Sequence, residues 1–212
     1  MSAFILAQLS IVLLFVFNFS YGKNIEGYYI TTNNKKYTKV FDIPVGVPSD
    51  EVNFQAIQFV LKYYDENNKK QKLDLEFIYE VGFEYNGEKI VLRKLRNELD
   101  LPPTLISDTR YILLKLIKED IISEYSFSGT GYMLNPNGFG GSVSGSFYKY
   151  GSGILVKKDG TMVDPSTGSF RKKMREFFAD CPVLVEKINN KVYKRNQIEE
   201  IIEYYKVNCY KE

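Results

Sequence analysis

The sequence predicts an α+β protein: an N-terminal antiparallel β-sheet or small barrel built from hairpins, followed by a C-terminal cluster of about three short helices. Three observations predict it. Up to about residue 165 apolar and polar residues alternate with period two and break at turn dipeptides, above all Asn86-Gly87 and Asp159-Gly160. Past Pro165 the spacing becomes helical, with Phe170, Met174, Phe177 and Phe178 at i, i+4, i+7 and i+8. Strands first and helices last is the order of an α+β chain rather than of alternating βαβ units.

The elements follow in order. Tyr28, Ile30 and Thr32 alternate, Asn33-Asn34 offers a turn, and Tyr37 to Ile43 returns antiparallel. Val52 to Tyr64, with Phe54, Ile57, Phe59, Val60 and Leu61, reads as a bent or bulged strand, and Asp65 to Lys70 as a polar turn. Phe77 to Tyr85 and Lys89 to Leu92 flank Asn86-Gly87, a pair suited to a two-residue hairpin turn. Arg93 to Ser107 reads as a connector, because Pro102-Pro103 has no N–H groups for a ladder. Arg110 to Ile117 and Ile121 to Phe127 form a second hairpin around Lys118-Glu119-Asp120, although Ile112, Leu113, Leu116 and Ile117 also suit one helical face. Ser128 to Gly153 holds eight of the 15 glycines and reads as a flexible loop, and a last hairpin turns at Asp159-Gly160. Ser169 is placed to cap the first C-terminal helix. Pro182 opens a second, carrying Leu184, Val185 and Ile188, and Asn196 caps a third, where Ile198, Ile201, Ile202 and Tyr205 share a face.

The start of the chain carries the clearest signal. Phe4 to Phe19 is uncharged and mostly apolar, and Ser20 and Gly22 put small residues at the minus-three and minus-one positions of a cut after Gly22. That is the pattern of a secretory signal peptide, departing from it only in lacking a lysine or arginine before the apolar run. The competing reading is an uncleaved membrane anchor, but 16 residues at about 1.5 Å each span about 24 Å, short of a roughly 30 Å hydrocarbon core. The organisation expected is therefore a signal peptide over 1–22, a β-rich region over 23–104, hairpins over 105–168 with the glycine-rich loop 128–153, and a helical region over 169–212 packed with the preceding strands. Export, to a periplasm or the exterior, makes Cys181 and Cys209 candidates for one intramolecular disulfide; two buried reduced thiols are the alternative.

Composition then excludes chemistry. The 212 residues contain no histidine, so Ser-His-Asp triads, Cys-His dyads and imidazole bases are ruled out, and the usual histidine-bearing zinc sites with them. No metal or cofactor is expected. A formal charge of +2 supplies no field for nucleic acid or an anionic surface, and none is expected to bind. A membrane enters only through an uncleaved N-terminal segment. Gly138-Phe139-Gly140-Gly141-Ser142-Val143 lacks the last glycine of a dinucleotide loop. The same stretch could present Tyr132, Phe139, Tyr148 and Tyr150, with Phe147, to a sugar or peptide, and these are the candidate binding residues. Arg171, Lys172, Lys173 and Arg175 read as the wet face of a helix. Glu76 with Glu80, Glu84 with Glu88, and Asp159 with Asp164 are the carboxylate pairs from which a glycosidase mechanism could draw.

Ile154-Leu155-Val156-Lys157-Lys158-Asp159-Gly160, Phe177-Phe178-Ala179-Asp180-Cys181-Pro182 and Ile201-Ile202-Glu203-Tyr204-Tyr205 before Cys209 together carry a resemblance. In these the chain resembles a group of secreted proteins of Bacteroidota-type bacteria with no assigned activity. The resemblance implies a bacterial envelope or secreted location and a paired Cys181 and Cys209, and it carries over no functional residue. The function expected is a non-catalytic binding or structural module that contacts an envelope protein or glycan; the alternative is a carbohydrate-active hydrolase using two carboxylates.

Overall fold

A computed structural model describes residues 20–47, 49–99, 110–135 and 144–210, with backbone alone at 20 and over 130–135 and 144–150. The apolar leader, Pro102-Pro103 and Phe139 lie outside the described residues. The chain divides into two compact units at Val91/Leu92.

In the first unit β1 (Ser20–Thr31), β2 (Lys36–Gly46), β3 (Lys62–Tyr64), β4 (Lys70–Lys72) and β5 (Ile78–Tyr85) pair antiparallel in the order β5-β1-β2-β3-β4. Asparagines make the turns, as the sequence requires: Asn34, Asn68 and Asn86 have φ of 61°, 56° and 51°, and Gly87 follows at 78°. Two successive positive φ values are those of a type I′ hairpin turn. Phe41, Ile43 and Val45 are buried on one face of β2 by their period of two, and Val81 and Phe83 of β5 join the core. Gly82 has a different reason. A Cβ there would lie 2.4 Å from the Tyr28 ring, which crosses the bare strand to donate a 2.8 Å hydrogen bond to Glu80.

Val52 to Tyr64 corrects the sequence reading. The segment holds a single helical turn, α1 (Phe54–Ile57), before β3. Asn53 accepts a hydrogen bond from the Ala56 N–H, and Ile57, Gln58 and Phe59 are buried in succession. A strand with one covered face cannot bury three consecutive residues, so local capping and burial override the strand pattern.

β6 (Glu88–Arg96) crosses the boundary between the units. In the second unit it is followed by β7 (Tyr111–Lys118), β8 (Ile122–Asn135), β9 (Ser144–Lys157) and β10 (Met162–Val163), in the order β10-β9-β8-β7-β6. The expected connector begins late: Arg93 to Arg96 are strand, paired with Leu114 to Tyr111. The hairpin reading of residues 110 to 127 holds over the helical one. Ile112, Leu113 and Leu114 are all fully buried, so both faces of this strand are covered.

Two further expectations are corrected. No barrel forms: the sheet is open, with β4 and β10 as its end strands, of three and two residues. Closure would require those ends to pair, and β4 presents Lys70 and Lys72, which blunt an edge. The glycine-rich loop is mostly ribbon. β8 and β9 stay in register from Ile122↔Lys157 to Asn135↔Ser144, so only 136–143 connects them.

The helices are α2 (Phe170–Phe177), α3 (Pro182–Asn189) and α4 (Ile198–Asn208). Phe170, Met174, Phe177, Phe178, Leu184, Ile188, Ile201, Ile202 and Tyr205 bury one continuous core with Ile122, Leu155 and Val163 of the strands. Ser169 occupies the cap position of α2 without a capping side-chain bond. The third helix starts from Gln197 rather than Asn196, and Gln197 instead accepts from the Lys194 N–H at 3.0 Å. Cys181, at the start of α3, is disulfide-bonded to Cys209, at the end of α4.

Candidate functional site

Of the predicted aromatic residues Tyr132 lies on β8 and Tyr148 and Tyr150 on β9, and Phe139 lies outside the described residues. Register sets Tyr132 opposite Phe147, Tyr148 opposite Gly131 and Tyr150 opposite Gly129. In two of the candidate carboxylate pairs members are hydrogen-bonded locally. Glu80 accepts from Tyr28, Asp159 accepts from the Thr161 N–H, and buried Asp164 accepts from Ser166 and Thr167. Glu84 and Glu88 flank the Asn86-Gly87 turn as exposed residues. In the basic run, Arg171 and Lys172 are exposed, Lys173 donates to the Asp164 carbonyl and Arg175 to Asn189.

The second unit instead contains a cleft of about 570 Å³ between the sheet and the start of α4. Sequence reasoning missed its residues. Its floor is Ser126 on β8 with Gly151 and Gly153 on β9, and register places Ser126 directly opposite Gly153. A Cβ built on Gly153 would meet nothing within 4 Å, so the missing side chains are what leave the space open. Leu155 and Ile117 supply apolar wall. Glu124 approaches from β8, and Asn196, Glu199 and Glu200 from the start of α4. Gln197 donates to Glu200 at 2.9 Å, while Glu124 and Glu199 have no cation within ion-pair distance among the described residues, and no lysine or arginine lines the cleft.

Such a surface offers carboxylate and amide oxygens as acceptors, amide and hydroxyl donors, and backbone that a ligand can approach closely. The available signal was the small residues at 126 and 151–153, set between the bulky Tyr125 and Phe127 on one strand and Tyr150 and Ile154 on the other. It registers as a cleft only once β8 and β9 are paired.

A second polar cluster in this unit is structural. Lys157 lies within 5.0 to 5.6 Å of the Phe177, Phe178 and Tyr205 rings and reaches Asp180 at 2.6 Å. Tyr205 donates to the other Asp180 oxygen. Burial pushes the Asp180 carboxyl up, but the bonds from Lys157 and Tyr205 outweigh it and hold the group below its ordinary value. Burial, with the Asp180 bond, raises Tyr205.

A carboxyl held low in the folded state contributes stability that is complete above its unfolded value near about 3.9 and is lost as pH falls through the folded value. Asp180→Asn is therefore expected to cost about 1–2 kcal/mol at pH 7, the small end of such effects because Asp180 is half exposed. Urea melts at pH 7 and pH 3 should show the gap between variant and wild type closing at the lower pH.

In the first unit Lys23 donates to Asp50 at 2.6 Å and to Tyr85 at 2.7 Å, and Tyr21 and Tyr85 also donate to Asp50. The Asp50 bond, helped by Tyr85, raises the Lys23 ammonium, and the Lys23 bond lowers Asp50. This cluster ties Asp50 to β1 and β5 and leaves its charges paired.

No protein-family model matches the chain, and no curated protein or solved structure matches it.

Proposed function

We propose that the chain is an exported bacterial protein acting as a non-catalytic binding module of the cell envelope or secreted fraction, with the cleft between β8, β9 and α4 as the binding site for a hydroxyl-rich glycan. The observation that carries the reading is the cleft itself. Among the described residues neither Glu124 nor Glu199 makes an ion pair, and they line the cleft beside a floor that carries two glycines. Carboxylates accept hydrogen bonds from ligand hydroxyls, Asn196 and Ser126 add donors, and a bare floor lets a ring lie close. Export is supported by the Cys181–Cys209 disulfide, which belongs to an oxidising compartment, and by the apolar leader. Among the described residues no helix is long and apolar enough to cross a membrane. The absence of histidine and the pairing of both cysteines remove the imidazole and thiolate nucleophile systems.

Calorimetric titration with soluble cell-wall and capsular oligosaccharides tests the site. Binding should weaken about tenfold or more, roughly 1.4 kcal/mol, in Glu124→Gln and Glu199→Gln. Absence of binding across the panel, or binding untouched by both substitutions, overturns it. Protein recovered from the envelope or medium should begin at Lys23, which shortens β1 by the Ser20, Tyr21 and Gly22 that pair with Gly46, Val45 and Pro44 and leaves Asp50 to Lys23 and Tyr85.

One observation favours a two-carboxylate hydrolase as the second reading: Glu124 and the pair Glu199 and Glu200 approach one cleft from different elements. Turnover of a glycan on the same panel, abolished by either Glu124→Gln or Glu199→Gln, would select it.

A further inference from the structure

We propose that the exposed side of α2 and the turn between α3 and α4 form a docking surface for an anionic lipid bilayer. The chain as a whole carries +2, but residues 165–197 hold eight lysines and arginines against three acids. Net charge averages over the molecule, whereas a membrane meets one face of it.

Six of these cations are exposed: Arg171, Lys172 and Arg175 on α2, and Lys191, Lys194 and Arg195 in the turn. None of the six makes an ion pair among the described residues, while Lys157 and Lys206 of the same unit hold carboxylates at 2.6 and 2.7 Å. Two tethers gather the six. Arg175 donates to Asn189 at the end of α3 at 3.2 Å, and Arg195 donates through both terminal nitrogens to the Ser166 and Gly168 carbonyls just before α2. The acceptors are neutral oxygens, so both guanidiniums are held in place with their charge uncompensated.

The turn also exposes an apolar side chain. At the end of α3 the Lys191 N–H donates to the Ile188 carbonyl at 3.2 Å and the Val192 N–H to the Lys187 carbonyl at 3.0 Å, with Lys191 at φ 60°. In such a helix ending glycine usually fills the left-handed position, and the residue after it packs on an apolar side chain of the last turn. Here the left-handed residue is a lysine. The side chain that Val192 would pack on is Lys187, whose ammonium lies over the Tyr204 ring at 5.1 Å. Val192 is left 54% exposed between Lys191 and Lys194.

Cations around an exposed valine fit a bilayer better than a dissolved polyanion. Each lysine or arginine gains from the surface potential, and the valine leaves water for the boundary between headgroups and acyl chains. A soluble polyanion would engage the charges alone.

Co-sedimentation of protein recovered from the envelope or medium, with vesicles of phosphatidylcholine and phosphatidylglycerol mixed three to one, tests the surface. The protein should bind these vesicles, ignore pure phosphatidylcholine, and be released by high salt. Arg171→Glu with Lys194→Glu should weaken binding about tenfold or more. Val192→Ser should weaken it about threefold or more. Lys62→Glu with Lys72→Glu removes the same charge from exposed positions of the first unit and should leave binding unchanged. Far-UV circular dichroism confirms that all three variants fold. Absence of binding, equal binding to both vesicles, retention in the Arg171 and Lys194 variant, or an equal loss in the Lys62 and Lys72 variant overturns the inference. So does a Val192→Ser variant that binds as tightly as wild type, which would assign the cations to a soluble polyanion such as a uronate glycan.

Discussion

Replacing Phe178 by alanine is expected to lower the stability of the second unit by about 3–5 kcal/mol, the range for removing a fully buried aromatic side chain. Phe178 is 0% exposed and sits at the junction of three elements. Its ring meets Phe177 edge-on at 4.9 Å and Tyr205 of α4 at 5.1 Å, and the Lys157 ammonium of β9 lies over it at 5.6 Å. Alanine would leave a cavity under α4 and withdraw a wall from the Lys157–Asp180 pair. Denaturant unfolding measures the loss. Val207→Ala, on the exposed side of the same helix, should shift it by no more than about 0.5 kcal/mol. Because α4 also carries Glu199 and Glu200 into the cleft, the Phe178 variant should bind the cleft ligand more weakly even where it remains folded.

The second large effect is reduction of the Cys181–Cys209 disulfide. It closes a loop of 28 residues, and in the chain-entropy model that is worth about 3.5 kcal/mol. For a chain of this length the midpoint should fall by about 7–14 °C in thermal melts with and without reductant. Cys181→Ser with Cys209→Ser should reproduce the fall and abolish any further effect of reductant. A gain of about two daltons on reduction reports the bond directly. A melt unaffected by reductant would mean that α3 and α4 hold their relation through packing alone.

Local signals were legible. Asn86-Gly87 and Asp159-Gly160 named their hairpins because few residues accept the backbone angles that tight turns impose. Phe170, Met174 and Phe177 named the buried face of α2 because a 3.6-residue period admits one buried stripe. Val52 to Tyr64 was misread because its apolar residues suit strand and helix alike, and the choice fell to Asn53 capping and to burial on more than one side. The glycine-rich stretch was misread for a related reason: glycine weakens a strand, but long pairing with β8 compensates along the ladder.

What the amino-acid order determined by itself is whatever acts within a few residues or follows from composition: the turns, the amphipathic helices, the α+β succession, and the exclusion of imidazole chemistry. What only the tertiary structure decided is everything that depends on pairing at a distance. Glu124 and Glu199 are 75 positions apart and share a cleft because β8 lies under the start of α4. Ser126 and Gly153 form a floor because register sets them opposite one another. Each is a matter of which surfaces meet, and residue spacing carries no information about that until the chain has buried its core.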